Sequence, residues 1–167
     1  MAVNGAGMER FVRVATGLDV GPALAELARQ PEYWIMLGAN AQEFIPLIGA
    51  EDARLLEAEL PEVWRLVDTV RERAAADHGD HGRLTFCRVG RMPPGEGLPP
   101  HFDGLDPLRE RRYQLALQSE AGAEITVDGE SKCLVPGEAW QIDVGRTHWV
   151  HNGSENDRII ILFDTQA

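Results

Sequence analysis

Cysteine is scarce in this chain of 167 residues: only Cys87 and Cys133 occur, so no disulfide framework can hold a small secreted fold together. Both lie in strand-like runs and are read as reduced core thiols. Long apolar runs are absent as well, and none approaches the ~20 residues a bilayer-spanning helix needs. The opening stretch MAVNGAGMERFVRV lacks the basic start and apolar centre of a secretory signal, so a cytoplasmic location is expected. Positive charge is in deficit, with 16 Lys and Arg against 27 Asp and Glu, a formal charge of −11 and a pI near 4.8. That balance argues against nucleic acid or an anionic membrane surface as partner. Repeats, low-complexity tracts and an interdomain linker are also missing. One domain over 1–167 is expected, a monomer or homodimer large enough to bury a real core.

What is present divides by periodicity. Residues 20–75 carry helical spacing. In DVGPALAELARQ, Asp19 is a candidate N-cap and Pro22 sits in the first turn, with Leu24, Leu27 and Ala28 on one stripe. A second stretch places Leu55, Leu56 and Leu60, then Val63, Leu66, Val67 and Val70, at helical intervals, and Pro61 is expected to open its second helix. From residue 83 the pattern turns to short strands, predicted over 83–90, 111–118, 123–127, 131–135, 138–143, 147–151 and 158–164. Asp128-Gly129 has hairpin-turn chemistry, and Pro136-Gly137 marks another tight turn. The stretch RMPPGEGLPP reads as a shaped loop. Strands without intervening helices predict a double-stranded β-helix, a jelly-roll or cupin-like barrel, over about 83–165. The first 80 or so residues would form helices packed on its outside.

That loop leads into His101-Phe102-Asp103, and His148 follows from a separate late strand. Residues i and i+2 of an extended segment face the same way, so His101 and Asp103 could share a metal with His148. Two histidines and one carboxylate hold one face of a metal and leave the opposite positions open, the arrangement of non-haem Fe(II) oxygenases. His151 lies three residues past His148, an odd spacing, so in a regular strand it faces the other way. Ten residues after His148 comes Arg158, opening a strand whose two faces are both apolar. A buried guanidinium needs an anionic partner. Either a structural carboxylate such as Asp143 or a carboxylate of bound 2-oxoglutarate would serve. In RRYQLALQ, Arg112, Gln114 and Ala116 share one strand face and would point at whatever is bound if that strand lines a barrel.

From about Arg83 to Thr165 the sequence resembles the aspartyl/asparaginyl β-hydroxylase family, which includes bacterial enzymes of the proline cis-4-hydroxylase type. The similar elements are PPHFDG, RRYQLAL, PGEAWQID and HWVHNGSENDRIIILFD. The resemblance implies His101, Asp103 and His148 as catalytic Fe(II) ligands and Arg158 as the anchor of the distal 2-oxoglutarate carboxylate. It also implies a cofactor- or substrate-contacting role for Arg112. Gln114 stands where the family frequently has histidine. The implied activity is Fe(II)- and 2-oxoglutarate-dependent hydroxylation of a small substrate by dioxygen, the substrate an amino acid or a derivative. Arg91, Arg111, Arg146, Trp34 and Asn40 are candidates for the substrate wall. The competing readings are a metal-binding cupin that acts as an isomerase or sensor, and an inactive interaction module of the same fold.

Overall fold

The computed structural model describes residues 9–36, 42–49 and 53–167. In chain order its elements are β1 (Phe11–Ala15), α1 (Gly21–Ala28), a 3-10 turn (Pro31–Tyr33), β2 (Ile35–Met36), β3 (Glu43–Pro46), α2 (Pro61–His78), β4 (Arg83–Met92), β5 (Gly97–His101), β6 (Glu110–Gln118), β7 (Ala123–Val127), β8 (Glu130–Lys132), β9 (Ala139–Ile142), β10 (His148–Asn152) and β11 (Arg158–Gln166). The strands form two antiparallel sheets, ordered β1-β9-β6-β11-β4-β3-β2 and β5-β10-β7-β8, in a jelly-roll arrangement. No helix among the described residues is long and apolar enough to cross a membrane.

The strand with two apolar faces, β11, lies in the middle of the large sheet between β6 and β4. Its alternation divides the molecule. Ile161 and Phe163, opposite Val89 and Cys87 on β4 and Leu115 and Tyr113 on β6, face outward into the main core. There α1 and α2 contribute Ala23, Leu27, Val63, Trp64, Val67 and Val70. Arg158, Ile160 and Leu162 face the other way, opposite Met92, Gly90 and Arg88 of β4. A second core, including Ile125, Val127, Ile142 and Val150, fills part of the space between the sheets. Buried Asn152 ties them together by donating from Nδ2 to the Met92 carbonyl at 2.8 Å.

Pro61 opens α2 as its rigid φ favours, and Gly79 closes it in the left-handed conformation at φ 80°. Asp128 and Gly129 both adopt positive φ, 48° and 82°, which gives the two-residue turn that joins β7 to β8. Three expectations need correction. Residues 20–75 are not helical throughout: β2 and β3 add to an edge of the large sheet, and residues 53–60 form turns. Apolar periodicity cannot separate a four-residue strand from a helix when its ladder partner, β4, lies more than forty residues away, and β2 has only two residues. Asp19 does not occupy the N-cap; Val20 does, while Asp19 accepts the Gly21 N–H at 3.1 Å from one position earlier. Cys133 lies just past β8 and is half-buried, with Sγ 3.1 Å from the Glu120 carbonyl; only Cys87 is a core thiol, and burial raises its pKa strongly.

The N-terminus of α2 is capped from another helix. Glu26 of α1, 4% exposed, accepts the N–H groups of Glu62 at 2.9 Å and Val63 at 3.1 Å. Its negative charge also complements the positive end of the helix dipole. Glu26→Ala should therefore cost about 2 kcal/mol, the upper end for a lost helix cap, in urea unfolding followed by circular dichroism. Glu26→Gln, which keeps one acceptor but not the charge, should lose less.

Candidate metal centre and its adjoining cavity

Pro99 and Pro100 would break an interior ladder because they lack N–H groups, but β5 is an edge strand. The register with β10 shifts there, from Val150 opposite Leu98 to His148 opposite His101. The bulge places the two histidines as a direct cross-strand pair with ring centroids 4.3 Å apart. Asp103 follows as the strand ends, its N–H donated to the Val144 carbonyl at 2.9 Å. His101, Asp103 and His148 thus present ligand atoms that all lie within 4.8 Å of one another.

Both imidazoles are held the same way. His101 Nδ1 lies 2.7 Å from the Pro99 carbonyl and His148 Nδ1 lies 2.9 Å from the Arg146 carbonyl. A carbonyl can only accept, so each Nδ1 carries a proton, and Nε2 is the nitrogen that presents the lone pair of a neutral ring. These are the backbone contacts that orient metal-ligating histidines. The Nε2 atoms lie 3.9 Å and 3.8 Å from the two oxygens of Asp103. Burial lowers the His148 pKa, and His101 nearby adds to that effect, which favours the neutral, ligating form. Side-chain exposure runs from 5% at His148 to 28% at Asp103 and 37% at His101, so the cluster opens to one side. Two imidazoles and one carboxylate on one face, with that side open, fit a divalent first-row metal.

Arg112 reaches the same cluster from β6. Its Nη1 contacts Asp103, while Nε and Nη2 bind both oxygens of buried Asp164 at 2.7 and 2.6 Å. Burial works against its charge, yet the bonds to Asp164 and Asp103 raise its pKa above the ordinary guanidinium value. The guanidinium therefore fixes the Asp103 carboxylate and is itself fixed from behind.

Arg158 is 3% exposed, and burial lowers its pKa to about 10, which leaves it charged at neutral pH. Among the described residues no carboxylate lies within ion-pair distance of it; Asp143 pairs instead with Arg146 at 2.8 Å. Its hydrogen-bond partner is the Gln114 side-chain oxygen at 3.1 Å. Arg158 lines an inner cavity with Gln42, Phe44, Gly90 and Met92, and the cluster of His101, Asp103 and His148 lines the next one. Arg88, Leu98, Gln114, Val150 and Leu162 belong to both walls, so the two spaces adjoin.

Arg88 and Gln42 escaped the sequence reading, as did the Asp164 anchor of Arg112. Arg88 stacks over the Phe44 ring at 4.0 Å and has no carboxylate within ion-pair distance among the described residues. Burial, and then the charge of Arg112, lowers its pKa. Gln42 is buried and belongs to the inner cavity. The alternation of Arg88, Gly90 and Met92 was the available signal for the first, once β4 was known to line the site. Of the proposed substrate wall, Arg91 lines the inner cavity, hydrogen bonded to Glu43 at 2.6 Å and stacked on Trp34 at 4.2 Å. Arg111 lies 3.8 Å from Asp80, and Arg146 joins Asp143 and Asp128 beside the cluster. Asn40 lies outside the described residues. His151 is exposed, on the opposite face of β10 from His148.

Comparison with known proteins matches residues 35–167 to a family described as Aspartyl/Asparaginyl beta-hydroxylase. No curated protein matches the chain. Among solved structures, a Pseudomonas putida prolyl-4-hydroxylase is similar at 15% identity and a TM-score of 0.66, covering 96% of this chain and 94% of that one. HygX from Streptomyces hygroscopicus, solved with nickel and 2-oxoglutarate bound, is similar at 13% identity and a TM-score of 0.69, over 94% and 82% of the two chains. An oxidoreductase of the 2OG-Fe(II) oxygenase family from Burkholderia pseudomallei gives 14% and 0.66, over 93% and 85%. At these identities the structural likeness is one of fold. The sequence match is broader than the site, reaching from β2 to the end of β11, and on that ground the chain belongs to the Aspartyl/Asparaginyl beta-hydroxylase family.

Proposed function

We propose that the chain is an Fe(II)- and 2-oxoglutarate-dependent dioxygenase that hydroxylates a small substrate, an amino acid or amino-acid derivative. The observation that carries this reading is the adjoining pair of cavities, one with the His101, Asp103 and His148 cluster and one with a buried, carboxylate-free Arg158. A cupin that only binds metal has no use for the second feature. Fe(II) with 2-oxoglutarate would supply the activation of dioxygen, releasing succinate and CO2 as a C–H bond is oxidised.

The chain's own residues would do the positioning. His101 and His148 offer Nε2 and Asp103 its carboxylate, with Arg112 and Asp164 holding that carboxylate in place. Arg158 would receive the distal carboxylate of the cofactor as a charge-assisted pair. Gln114 orients Arg158 through a neutral oxygen, so the guanidinium keeps its full charge for that ligand. Leu98, Val150 and Leu162 form the apolar part of the shared wall and limit water between the two ends. Arg88, unpaired at the junction of both cavities, suits a carboxylate on the substrate, which supports a free amino acid over a peptide interior.

Succinate release from 2-oxoglutarate with Fe(II), across the free amino acids and their carboxamides, tests the activity. Stimulation by carboxylates over the matched amides is expected, and no succinate release with any of them would remove the reading. Metal binding can be followed separately by anaerobic calorimetry with Mn(II). His148→Ala should lose more than about 100-fold in affinity, beyond what loss of an outer contact costs, whereas His151→Ala should stay within a few-fold. On the Mn(II)-loaded protein, Arg158→Lys should weaken 2-oxoglutarate binding by more than about tenfold, because the planar fork is lost while the charge remains. Gln114→Glu should raise the melting temperature of the ligand-free protein by giving Arg158 an ion pair. The same change should weaken 2-oxoglutarate binding.

A further inference from the structure

Gln42 immediately precedes β3, is 4% exposed, and has a buried side-chain Nε2 without a hydrogen-bond partner. Buried amide donors are almost always satisfied, because an unpaired one forfeits its water bonds and gains nothing in return. Its position gives the orphan donor a meaning. Glu43 lies opposite Arg91 and Phe44 opposite Gly90, so the register carries Gln42 to the level of Met92, whose partner across the next ladder is Arg158. Gln42 and Arg158 line the same inner cavity. Met92 stands between them in the ladder, and Gly90, two residues away on the same face of β4, adds no side chain to that cavity.

We propose that Gln42 is a cofactor-binding residue whose side-chain amide donates to the carboxylate that Arg158 neutralises. This rests on the 2-oxoglutarate reading above and names the second protein group at the distal end of that ligand. A carboxylate offers about four lone-pair sites, and one guanidinium fork fills two of them. A donor from the residue before β3 supplies a third contact, from across β4 relative to β11. It also fixes the ligand's rotation about the Arg158 axis, which a single fork leaves less constrained.

The proposal makes two signatures of opposite sign. Gln42→Leu keeps much of the side-chain volume and removes the orphan donor, so the ligand-free protein should melt at a higher temperature than wild type. The same variant, full length and loaded with Mn(II) under anaerobic conditions, should bind 2-oxoglutarate about tenfold more weakly, the loss of one hydrogen bond to a charged group. Oxalate, which chelates a metal but has no distal carboxylate, should bind variant and wild type equally. Gln42→Glu, which keeps the shape but places an anion against the ligand, should bind 2-oxoglutarate more weakly still. Unchanged 2-oxoglutarate affinity in Gln42→Leu would overturn the proposal. So would a lowered melting temperature with equal losses for 2-oxoglutarate and oxalate, which marks a structural residue. A wild-type protein that binds Mn(II) and oxalate but not 2-oxoglutarate would overturn the cofactor reading itself, a result distinct from failure of Gln42 alone.

Discussion

A guanidinium taken out of water loses hydration that only a well-placed anion returns, at a net penalty of several kcal/mol per unpaired ion. The central strand of the large sheet carries that penalty in Arg158, with one neutral oxygen from Gln114 against it. Much of the surrounding architecture follows from keeping such a charge in place. The strand must be held on both sides, and it is, by the long ladders to β4 and β6. The outer face of the same strand must contribute strongly to the core, and Ile161 and Phe163, both fully buried beneath the helices, do so. Stability gathered on one face of the sheet tolerates an unsatisfied cation on the other.

The charges nearer the cluster are arranged on a different principle. Arg112 is saturated by two carboxylates, and the order of its contacts matters. Asp164 takes two of its nitrogens, so the third is aimed at Asp103 by a fork that cannot swivel. The histidines are aimed by backbone carbonyls from Pro99 and Arg146, which are part of the chain segments that deliver the rings. Each of the three side chains is thus oriented before any ligand arrives, and little ordering entropy is left for binding to supply. Arg112 is a closed charge; Arg88 and Arg158 are open ones. The difference between them is visible only in their partners, since all three are arginines on strand faces that look into the barrel.

That difference explains how far the sequence could be followed. The late strands and the Asp128-Gly129 turn are written in alternation and turn chemistry, both local properties, and the structure has them with small shifts of boundary. That Arg158 shares a strand face with Ile160 and Leu162 was equally legible, because period two fixes it, though not which face looks inward. Strand β5 was hidden by its own prolines, which deny the usual ladder and are tolerated only because the strand lies at an edge beside a bulge. Strands β1 and β3 are held by partners far along the chain, and two-residue β2 only by β3, so local pattern had little to show. Residues 53–60 carry leucines at helical intervals, but Leu56 at φ 54° turns the chain where a helix would have continued it.

Gln42 and Arg88 were illegible for a related reason. Neither is unusual by type, and each is remarkable only for what fails to meet it. A missing partner is a property of three or more strands at once: β3, β4 and β11 must be in register before the Gln42 amide and the Arg158 guanidinium can be seen to face one cavity. Sequence periodicity reports which face a residue takes, while the proposed function depends on which residues across the sheet leave a polar group without a counterpart. The large sheet makes that division physically. Its outer face packs mainly apolar side chains beneath the helices, while its inner face carries Arg88 and Arg158, which meet no carboxylate within ion-pair distance among the described residues.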